Sequence, residues 1–438
     1  MKKSGFLILA ILGIIGLLGL YGCTQKGPST GEKGQTILTI TTWDNSSTQI
    51  YRVPFVKEFE RLHPNIKIKF LDIPAVQYYA KLQTMIAGGT PPDAAYLAYD
   101  QIPIFATKKA IQPLEPYLAK SKEFDFSGYY PRVVDMLKYQ NNIYAVSRDF
   151  TVFALYYNKD MFDKAGLSYP DETWDWNKFL DAAKKLTKDT NGDGKIDQYG
   201  FSPEPWLDSF IYWMWENGGE IISEDLKTSI IDKPEAVEAL QFVTDMRTKY
   251  KVAPSVIVTQ QPGQGSIELM TSGKLGMYVN GSWMISELRK KSKFRWDVAP
   301  VPKGPKGRAT VLFTVGMVMP TGSKHQEEAW EFLKYLGGTA GQAFFGNTKV
   351  ASGIPAIKTI AESTVFKDPT LPPEHIDVLL QAASDYARPL RLVPQMSEIY
   401  EILTPATDRL WVGKITAKQM ATEVKPQLDK ILAKPVTE

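Results

Sequence analysis

The segment between residues 36 and 98 alternates between β-branched runs and helical apolar stripes. Thr36 to Thr42 is a continuous β-branched run, and Ile66, Ile68 and Phe70 alternate with polar residues, so both segments are predicted to be strands. Between them, apolar side chains recur at the spacing of a helix: Tyr51, Phe55, Phe59 and Leu62. The order strand, helix, strand predicts a β-α-β unit with parallel strands.

The same alternation continues along the chain. A helix is predicted from Gln77 to Ala87 and a short strand from Asp93 to Leu97, and a later stripe from Ala329 to Leu336 predicts another helix. Ser323 and Gln326 precede that stripe with the spacing of a capping box. The pattern predicts the α/β fold class with mostly parallel sheets. At 438 residues the chain exceeds the roughly 250 to 300 residues of a single core, so two domains are expected.

The N-terminus has the pattern of an export signal. Two lysines precede an apolar, glycine-rich run from Gly5 to Leu20, and Cys23 follows shortly after. This pattern predicts a signal peptide over residues 1–22, lipidation of Cys23 and a flexible, lipid-anchored tether over residues 23–35. The alternative is an uncleaved membrane anchor, although the run is short for a bilayer span of about 20 residues.

Cysteine content and charge exclude several classes of function. Cys23 is the only cysteine, so neither disulfide bonds nor thiol catalysis is expected in the mature chain. The formal net charge is +3, and Lys2 and Lys3 contribute two of these charges. A mature chain so close to neutrality is not expected to bind nucleic acid. The three histidines lack metal-ligand spacing, and the chain has no G-x-S-x-G motif or phosphate-binding loop.

Four segments resemble one known protein family in their order and spacing. They are residues 81–93 (KLQTMIAGGTPPD), 155–160 (LYYNKD), 279–283 (VNGSW) and 394–400 (PQMSEIY). The segments resemble, in turn, a helix and turn before a ligand-facing strand, a crossing between domains, a loop with a sugar-stacking tryptophan, and a C-terminal ligand helix. The family is that of the extracellular solute-binding proteins of sugar ABC importers, of the maltodextrin-binding type.

The resemblance implies a type II periplasmic-binding-protein fold, in which two α/β lobes are joined by a hinge. By this resemblance the N-terminal lobe comprises residues 36–149 and 316–360, and the C-terminal lobe residues 151–312 and 366–438.

A sugar presents apolar C–H faces and a rim of hydroxyl groups, so its site needs aromatic platforms and hydrogen-bonding side chains. Matched to the family, eight residues stand at ligand-contacting positions: Trp43, Asp44, Asp100, Asp149, Glu204, Trp206, Trp283 and Tyr400. Aromatic residues can equally be core residues, the interpretation we prefer for Trp174 and Trp176 on a helical stripe. In the aromatic run from Phe210 to Trp215, Trp213 or Trp215 is a further candidate for the cleft.

Two of these assignments have an alternative, and two positions depart from the family. Asp44 and Asp100 follow predicted strands, where an aspartate is commonly a solvated loop residue or a helix cap. Leu97 stands where maltodextrin-binding proteins carry an aromatic residue, and Thr151 where they carry a carboxylate. These departures leave the identity of the sugar open, including its linkage and chain length.

The sharpest short motif is a predicted calcium loop between residues 189 and 197. Four side chains have D-x-N-x-D-G-x-x-D spacing, and the Lys195 carbonyl would add a fifth oxygen. The predicted ligands are Asp189, Asn191, Asp193, Lys195 and Asp197. Gly200 replaces the bidentate glutamate of an EF-hand, and the alternative is a polar turn without metal.

Together these features predict an extracytoplasmic, lipid-anchored protein that captures a sugar, expected to be an oligosaccharide, and delivers it to the transmembrane subunits of an ABC permease. The membrane would be reached through the N-terminal lipid, either in a periplasm or at a cell surface, and the protein is expected to be a monomer without catalytic activity. One alternative is a glycoside hydrolase, whose two carboxylates would come from Asp44, Asp100 and Glu204. Another is a carbohydrate adhesin, which would not need to close on its ligand.

Overall fold

The described part of the chain begins at the predicted first strand. The computed structural model describes residues 34–43, 46–204, 206–347 and 353–435. The predicted signal peptide, the lipidation candidate Cys23 and the ligand candidate Asp44 lie outside the described residues. Within the described ranges, no helix is both long and apolar enough to cross a bilayer.

The strands of the described ranges are β1 (Thr36–Thr42), β2 (Ile66–Asp72), β3 (Ala94–Ala98), β4 (Lys138–Tyr139), β5 (Asn142–Ile143), β6 (Ala145–Asn158), β7 (Tyr199–Phe201), β8 (Leu275–Gly281), β9 (Trp296–Ala299), β10 (Thr310–Val318) and β11 (Ala387–Arg388). Nine of these described strands form one sheet in the order β2-β1-β3-β10-β6-β8-β7, with β11 beside β10 and β9 beside β6. A separate hairpin holds β4 and β5.

Helices cover the sheet. In the same ranges they are α1 (Ser46–Leu62), α2 (Ala75–Ala87), α3 (Ile102–Thr107), α4 (Glu115–Leu118), α5 (Pro131–Met136), α6 (Lys159–Ala165), α7 (Trp176–Leu186), α8 (Asp208–Glu216), α9 (Pro234–Thr248), α10 (Val256–Thr259), α11 (Ser266–Thr271), α12 (Met284–Lys291), α13 (Gln326–Gly337), α14 (Thr339–Gly346), α15 (Lys358–Ala361), α16 (Asp377–Asp385), α17 (Met396–Trp411) and α18 (Ala417–Leu432). A 3₁₀ turn, Tyr99–Gln101, follows β3 directly.

Strand directions divide the sheet into two halves, which we call the first and second lobes. In the first lobe, β1 pairs in parallel with β2 and β3. In the second lobe, β7 pairs in parallel with β8, and helices α17 and α18 pack against α9. The predicted α/β fold is confirmed, although the sheet is mixed, because β6 and β10 pair antiparallel with each other, β6 with β8 and β10 with β3 as they cross between the lobes.

The two crossing strands form the connection between the lobes. Every residue of β6 is buried, as expected for a strand covered on both faces. The register between β6 and β10 shifts between Val315 and Gly316, opposite Asp149. A β-bulge bends and twists a strand, so this irregularity is a physical reason for the two halves to diverge here. The extent of each lobe stays a prediction.

Each lobe has an aromatic core between its helices and the sheet. In the first lobe, the ring of Phe59 packs edge-on against Phe332 of α13 at 5.2 Å. In the second lobe, Trp213 is fully buried and lies 5.5 Å from Phe179 of α7. Two cores on one continuous sheet agree with the two domains expected from chain length.

The predicted capping box at Ser323 is wrong. Helix α13 begins at Gln326, and no side chain caps its N-terminus. Ser323 instead donates its hydroxyl to Asp93 Oδ1 at 2.6 Å, and Asp93 Oδ2 accepts the Thr39 backbone N–H at 2.8 Å. The hydroxyl is therefore engaged in a tertiary contact that joins β1 to the chain beyond β10.

Candidate functional site

A cavity of about 320 Å³, which we call the first cavity, lies between the lobes. Asp100 reaches it from the first lobe, and the other lining residues come from the second. Those residues are Trp206, Leu207, Phe210, Tyr400, Leu403, Thr404, Thr407 and Asp408. The structure therefore brings three of the predicted ligand residues to the first cavity: Asp100, Trp206 and Tyr400.

Asp100 and Tyr400 join the lobes directly. Asp100 lies in the 3₁₀ turn at the end of β3, and Tyr400 lies in the second turn of α17. The Tyr400 hydroxyl donates to Asp100 Oδ2 at 3.2 Å, and the Gln101 side-chain amide donates to the same oxygen at 2.9 Å. Burial raises the pKa of the Asp100 carboxyl, and the hydrogen bonds from Gln101 and Tyr400 partly oppose the increase.

Trp206 and Trp283 form an aromatic pair in the second lobe. Their ring centroids are 6.4 Å apart with an interplanar angle of 34°, and Phe153 of β6 packs edge-on against both. The side chain of Trp206 is 36% exposed, an unusual degree for a residue that usually buries most of its surface. The Trp283 ring covers Gly281, where an added Cβ would stand 2.3 Å from the indole. A side chain at position 281 would therefore displace this ring.

Thr151 holds the loop that carries Trp283. Its hydroxyl lies 2.7 Å from the Ser282 hydroxyl and accepts the Ser282 backbone N–H at 2.7 Å. The residue thus fixes the loop from the crossing strand β6. Thr151 is one of the two positions at which the sequence departs from the maltodextrin pattern, and this contact gives it a structural role.

Glu204 lines a second cavity of about 490 Å³, which we call the second cavity. The Tyr278 hydroxyl donates to Glu204 Oε1 at 2.6 Å. Behind it, the buried Arg247 donates to the carbonyl oxygens of Pro203 and Pro254, at 3.0 and 2.8 Å. Burial lowers the pKa of Arg247 to about 10, and the nearby Glu204 carboxylate opposes the decrease. Glu204 is therefore held in a fixed position beside a buried cation.

Trp43 belongs to an aromatic cluster of the first lobe. Its ring makes edge contacts with Tyr78 at 4.9 Å, Tyr96 at 5.3 Å and Tyr79 at 6.0 Å. Tyr78 and Tyr96 are buried and Trp43 is half-buried. On β3, the aromatic residue at this face is Tyr96, one position before the fully buried Leu97.

Asp149 is placed beside this cluster and does not line either cavity. The Arg148 guanidinium donates to Asp149 Oδ2 at 3.0 Å from Nε, with Nη2 at 2.9 Å from the same oxygen. The guanidinium also lies 4.8 Å from the Tyr96 ring centroid. Asp149 thus orients a cation–π contact at the edge of the first lobe, and Arg148 is a site candidate that the sequence interpretation missed.

Neither Trp213 nor Trp215, which the sequence left as open candidates for the cleft, lines the two cavities. Both lie on α8 and are buried, with 0% and 5% exposure. Phe210, at the start of the same aromatic run, lines the first cavity instead. Trp174 is buried and Trp176 stacks on Phe242 at 4.5 Å, so the interpretation of these two as core residues is confirmed.

Helix α17 contributes cavity residues that the sequence interpretation did not identify. Thr404, Thr407 and Asp408 follow Tyr400 at intervals of four, seven and eight residues, and all line the first cavity. These intervals place them on the helix face that Tyr400 occupies. Extending that face along the helix would have found them from the sequence.

The predicted calcium loop is exposed and held by its own backbone. Asp189 accepts the Gly192 and Gly194 N–H groups at 2.7 Å each, and these bonds lower the pKa of its carboxyl. Gly194 has a φ of 83°, which favours glycine at this turn. Thr190 donates to Asp197, which closes the loop. The carboxylates of the three aspartates do not all lie within 4.8 Å of one another. Among the described residues, one other group of acidic and histidine side chains does lie within this distance.

That other group lies in the second lobe, away from both cavities. The buried Asp297 contacts His375 Nδ1 at 2.8 Å, and Glu374 lies near them. Lys159 approaches both carboxylates, at 3.9 Å from Asp297 and 3.4 Å from Glu374. A lysine in this position already balances part of the negative charge. A further cavity of about 850 Å³ beside Glu374 contains none of the predicted site residues.

Two α/β lobes joined by crossing strands, with a cavity between them, define a two-lobe ligand-binding protein. The chain belongs to the family of bacterial extracellular solute-binding proteins, whose model matches residues 44–343. Its members act outside the cytoplasm and bind solutes, so the predicted family and extracytoplasmic location are confirmed.

Known relatives match nearly the whole chain. A binding protein of Brucella abortus (strain 2308) is 28% identical over 415 residues, which cover 93% of this chain and 95% of that protein. The arabinooligosaccharide-binding protein of Bacillus subtilis (strain 168) is 24% identical and covers 73% of this chain and 72% of its own length. An ABC substrate-binding protein of Listeria monocytogenes, solved in complex with cycloalternan, has a TM-score of 0.83 and 29% identity, covering 92% of this chain and 100% of its own. The two-lobe fold is thereby confirmed.

Proposed function

We propose that this protein captures an oligosaccharide in the cavity between its lobes and delivers it to the transmembrane subunits of an ABC permease. The lobes close on the ligand, and the closed form is the one that the permease recognises. The observation that carries the proposal is the first cavity, where the bond between Asp100 and Tyr400 joins the lobes beside the exposed indole of Trp206.

The chemistry of the cavity suits a carbohydrate. Trp206 and Phe210 line the cavity and offer aromatic surface for the C–H faces of a sugar ring, and the half-buried Trp283 lies beside Trp206. Asp100 and Asp408 offer carboxylate oxygens for hydroxyl groups. Small-molecule sites combine apolar walls with a few placed polar groups in this way.

The relatives support the same class of ligand. An arabinooligosaccharide-binding protein of Bacillus subtilis and a lactose-binding protein of Rhizobium radiobacter align with about two thirds or more of the chain. The Listeria monocytogenes protein was solved with cycloalternan. The variety of these sugars supports the class of ligand and leaves its identity open.

Binding without catalysis is favoured over the glycoside hydrolase alternative. A hydrolase needs two carboxylates facing each other across one sugar linkage. Asp100 and Glu204 line different cavities, and each accepts a hydrogen bond from a tyrosine hydroxyl. These contacts suit carboxylates that orient a ligand rather than transfer protons.

We further propose that the protein is a monomer anchored to the membrane by a lipid on Cys23. The support is the basic and apolar sequence before this cysteine and the polar sequence after it. The near-neutral charge of the chain gives no reason to propose a nucleic-acid partner.

We also propose a structural calcium ion in the loop of residues 189–197. The spacing of its oxygen donors and the glycine at the sixth position support a hard cation. The ion would have to draw the aspartates closer together than they are here, and it would brace the second lobe without touching the sugar.

Calorimetric titration of the full chain, purified in detergent, tests the function. We expect saturable binding to at least one of the α- and β-linked gluco-, manno-, xylo- and arabino-oligosaccharides, with no cleavage products in the recovered sugar. Small-angle scattering with and without that sugar should report compaction, which an adhesin does not require. Cleavage products would establish the hydrolase instead, and binding without compaction would favour the adhesin.

A further inference from the structure

We infer that the bound oligosaccharide extends beyond the first cavity, past Asp408, and places at least one further sugar unit in the second cavity. This inference rests on the proposed function and adds the length of the ligand to it. The second cavity lies wholly in the second lobe, and its wall includes Glu204, Gln260, Val412 and Lys414.

The two cavities are neighbours along one helix. Asp408 of α17 lines both of them. On one side of it, Tyr400 and Thr404 face the first cavity, and on the other side Val412 faces the second. The segment before α8 repeats this arrangement, because Glu204 lines the second cavity and Trp206 the first. A linear ligand stacked on Trp206 would therefore pass Asp408 to enter the second cavity.

The second cavity has the mixed lining that a sugar needs. Ile257 and Val412 expose apolar surface at its rim, with 73% and 46% exposure. Gln260, Asp408 and Lys414 also line it and are exposed to solvent. None of these three side chains has a hydrogen bond among the described contacts of the chain, so their polar atoms can serve the hydroxyl groups of a ligand.

The walls are also braced from within. Arg247 is 8% exposed, and its guanidinium ties the carbonyl of Pro203 to that of Pro254, which lie on the two segments flanking the cavity. The Tyr278 hydroxyl holds the Glu204 carboxylate in place through a hydrogen bond. A cavity whose buried polar groups hold its shape is preorganised, which lowers the conformational entropy that the protein loses when a ligand binds.

The size of the two cavities favours a long ligand. Small-molecule sites typically have volumes of about 300 to 1,000 Å³. The first cavity, at about 320 Å³, is near the lower limit, and adding the second, at about 490 Å³, more than doubles the space. A ligand confined to the first cavity would leave the larger of the two unused.

Val412→Trp is the variant that tests the inference, because an indole at this rim position would obstruct the second cavity. Val53→Trp is its matched control, since Val53 lies on α1 of the first lobe, is exposed to a similar extent (48%) and lines neither cavity. Both variants and the unmodified chain are titrated with malto-, cello-, manno-, xylo- and arabino-oligosaccharides of two to five units. Thermal melts of all three proteins report on folding.

For the series that binds, we expect affinity to rise at least tenfold from the disaccharide to the tetrasaccharide. Val412→Trp should abolish this rise while changing disaccharide affinity less than about twofold, and Val53→Trp should behave as the unmodified chain. Affinity independent of length, or an equal loss at every length in Val412→Trp, would overturn the inference and leave the proposed function intact. Absence of binding by every sugar would overturn the proposed function, and the inference with it.

Discussion

The two lobes differ in how far their candidate ligand-binding tryptophans are packed against other rings. In the first lobe, Trp43 is packed edge-on against tyrosines, and Tyr78 and Tyr96 are almost fully buried. In the second lobe, Trp206 leaves more than a third of its side chain exposed and lines the cavity with Phe210. The aromatic rings around Trp43 in the first lobe are thus largely engaged with one another, whereas the Trp206 ring of the second lobe remains open to a ligand.

This difference assigns to separate lobes the two tasks of a protein that closes on its ligand. A platform for a sugar ring needs an exposed aromatic face, and the second lobe provides it together with the second cavity. Closure needs a polar contact that forms only when the lobes meet, and Asp100 of the first lobe provides it by accepting from Tyr400. We therefore expect the ligand to bind first to the second lobe, and the first lobe to close over it.

The largest effect should come from Trp206→Ala. Loss of a central aromatic residue from an interface commonly costs about 2 kcal/mol or more, which corresponds to a roughly 30-fold weaker affinity. Trp43→Phe is the contrast in the first lobe, and it should change affinity less than about threefold. Titration calorimetry with the best sugar measures both. A greater loss in Trp43→Phe than in Trp206→Ala would place the platform in the first lobe and reverse the comparison.

A smaller effect is expected from Asp100→Asn. Hydrogen bonds to charged groups contribute about 1.5 to 3 kcal/mol, so we expect affinity to fall roughly tenfold and compaction in small-angle scattering to decrease. Tyr400→Phe removes the donor and keeps the ring, and it should reproduce the loss of compaction. Unchanged compaction in both variants would mean that the bond between the lobes does not contribute to closure.

Asp100→Asn should also raise the melting temperature at pH 7. Because burial raises the pKa of Asp100, its contribution to stability is fully present below the unfolded-state value of about 3.9 and is lost as pH rises through the folded-state pKa. At pH 7 the charged carboxylate is therefore unfavourable in the folded chain. The gain in the variant should disappear near pH 3. A lower melting temperature at pH 7 would contradict this sign.

The sequence was informative where the evidence for a residue was local. The short buried strand before Asp100 could be predicted from nearby residues alone, whereas the helix that carries Tyr400 was predicted through the resemblance of residues 394–400 to a ligand helix. The same reasoning failed on α8, where every residue from Phe210 to Trp215 is buried. A helix that is apolar on all sides has no polar stripe to set its period, so the face that lines a cavity cannot be distinguished from the core.

Contacts between distant segments could not be predicted. The second cavity depends on Arg247 joining the carbonyls of Pro203 and Pro254, and on the end of α17 reaching the same place. The engagement of Ser323 with Asp93 is of the same kind, because the hydroxyl fits a local capping pattern and a tertiary acceptor equally well. Periodicity describes one element at a time and contains no information on which acceptor lies closer in the folded chain.

The smallest effect on sugar affinity should come from the predicted calcium loop, which lies in the second lobe but lines neither cavity. Calcium at 100 times its dissociation constant stabilises a folded protein by about 2.7 kcal/mol, so the melting temperature should rise with added calcium while sugar affinity stays within about twofold. Asp193→Asn should remove the response, since it deletes a charge yet can still accept the Lys195 N–H. Asp225→Asn, a change at another exposed turn aspartate of this lobe, is the control and should keep the response.

A calcium response that survives in Asp193→Asn, or is absent from the unmodified chain, would rule out the site. A change in sugar affinity with calcium would instead mean that sugar binding depends on more of the second lobe than the face that carries Trp206.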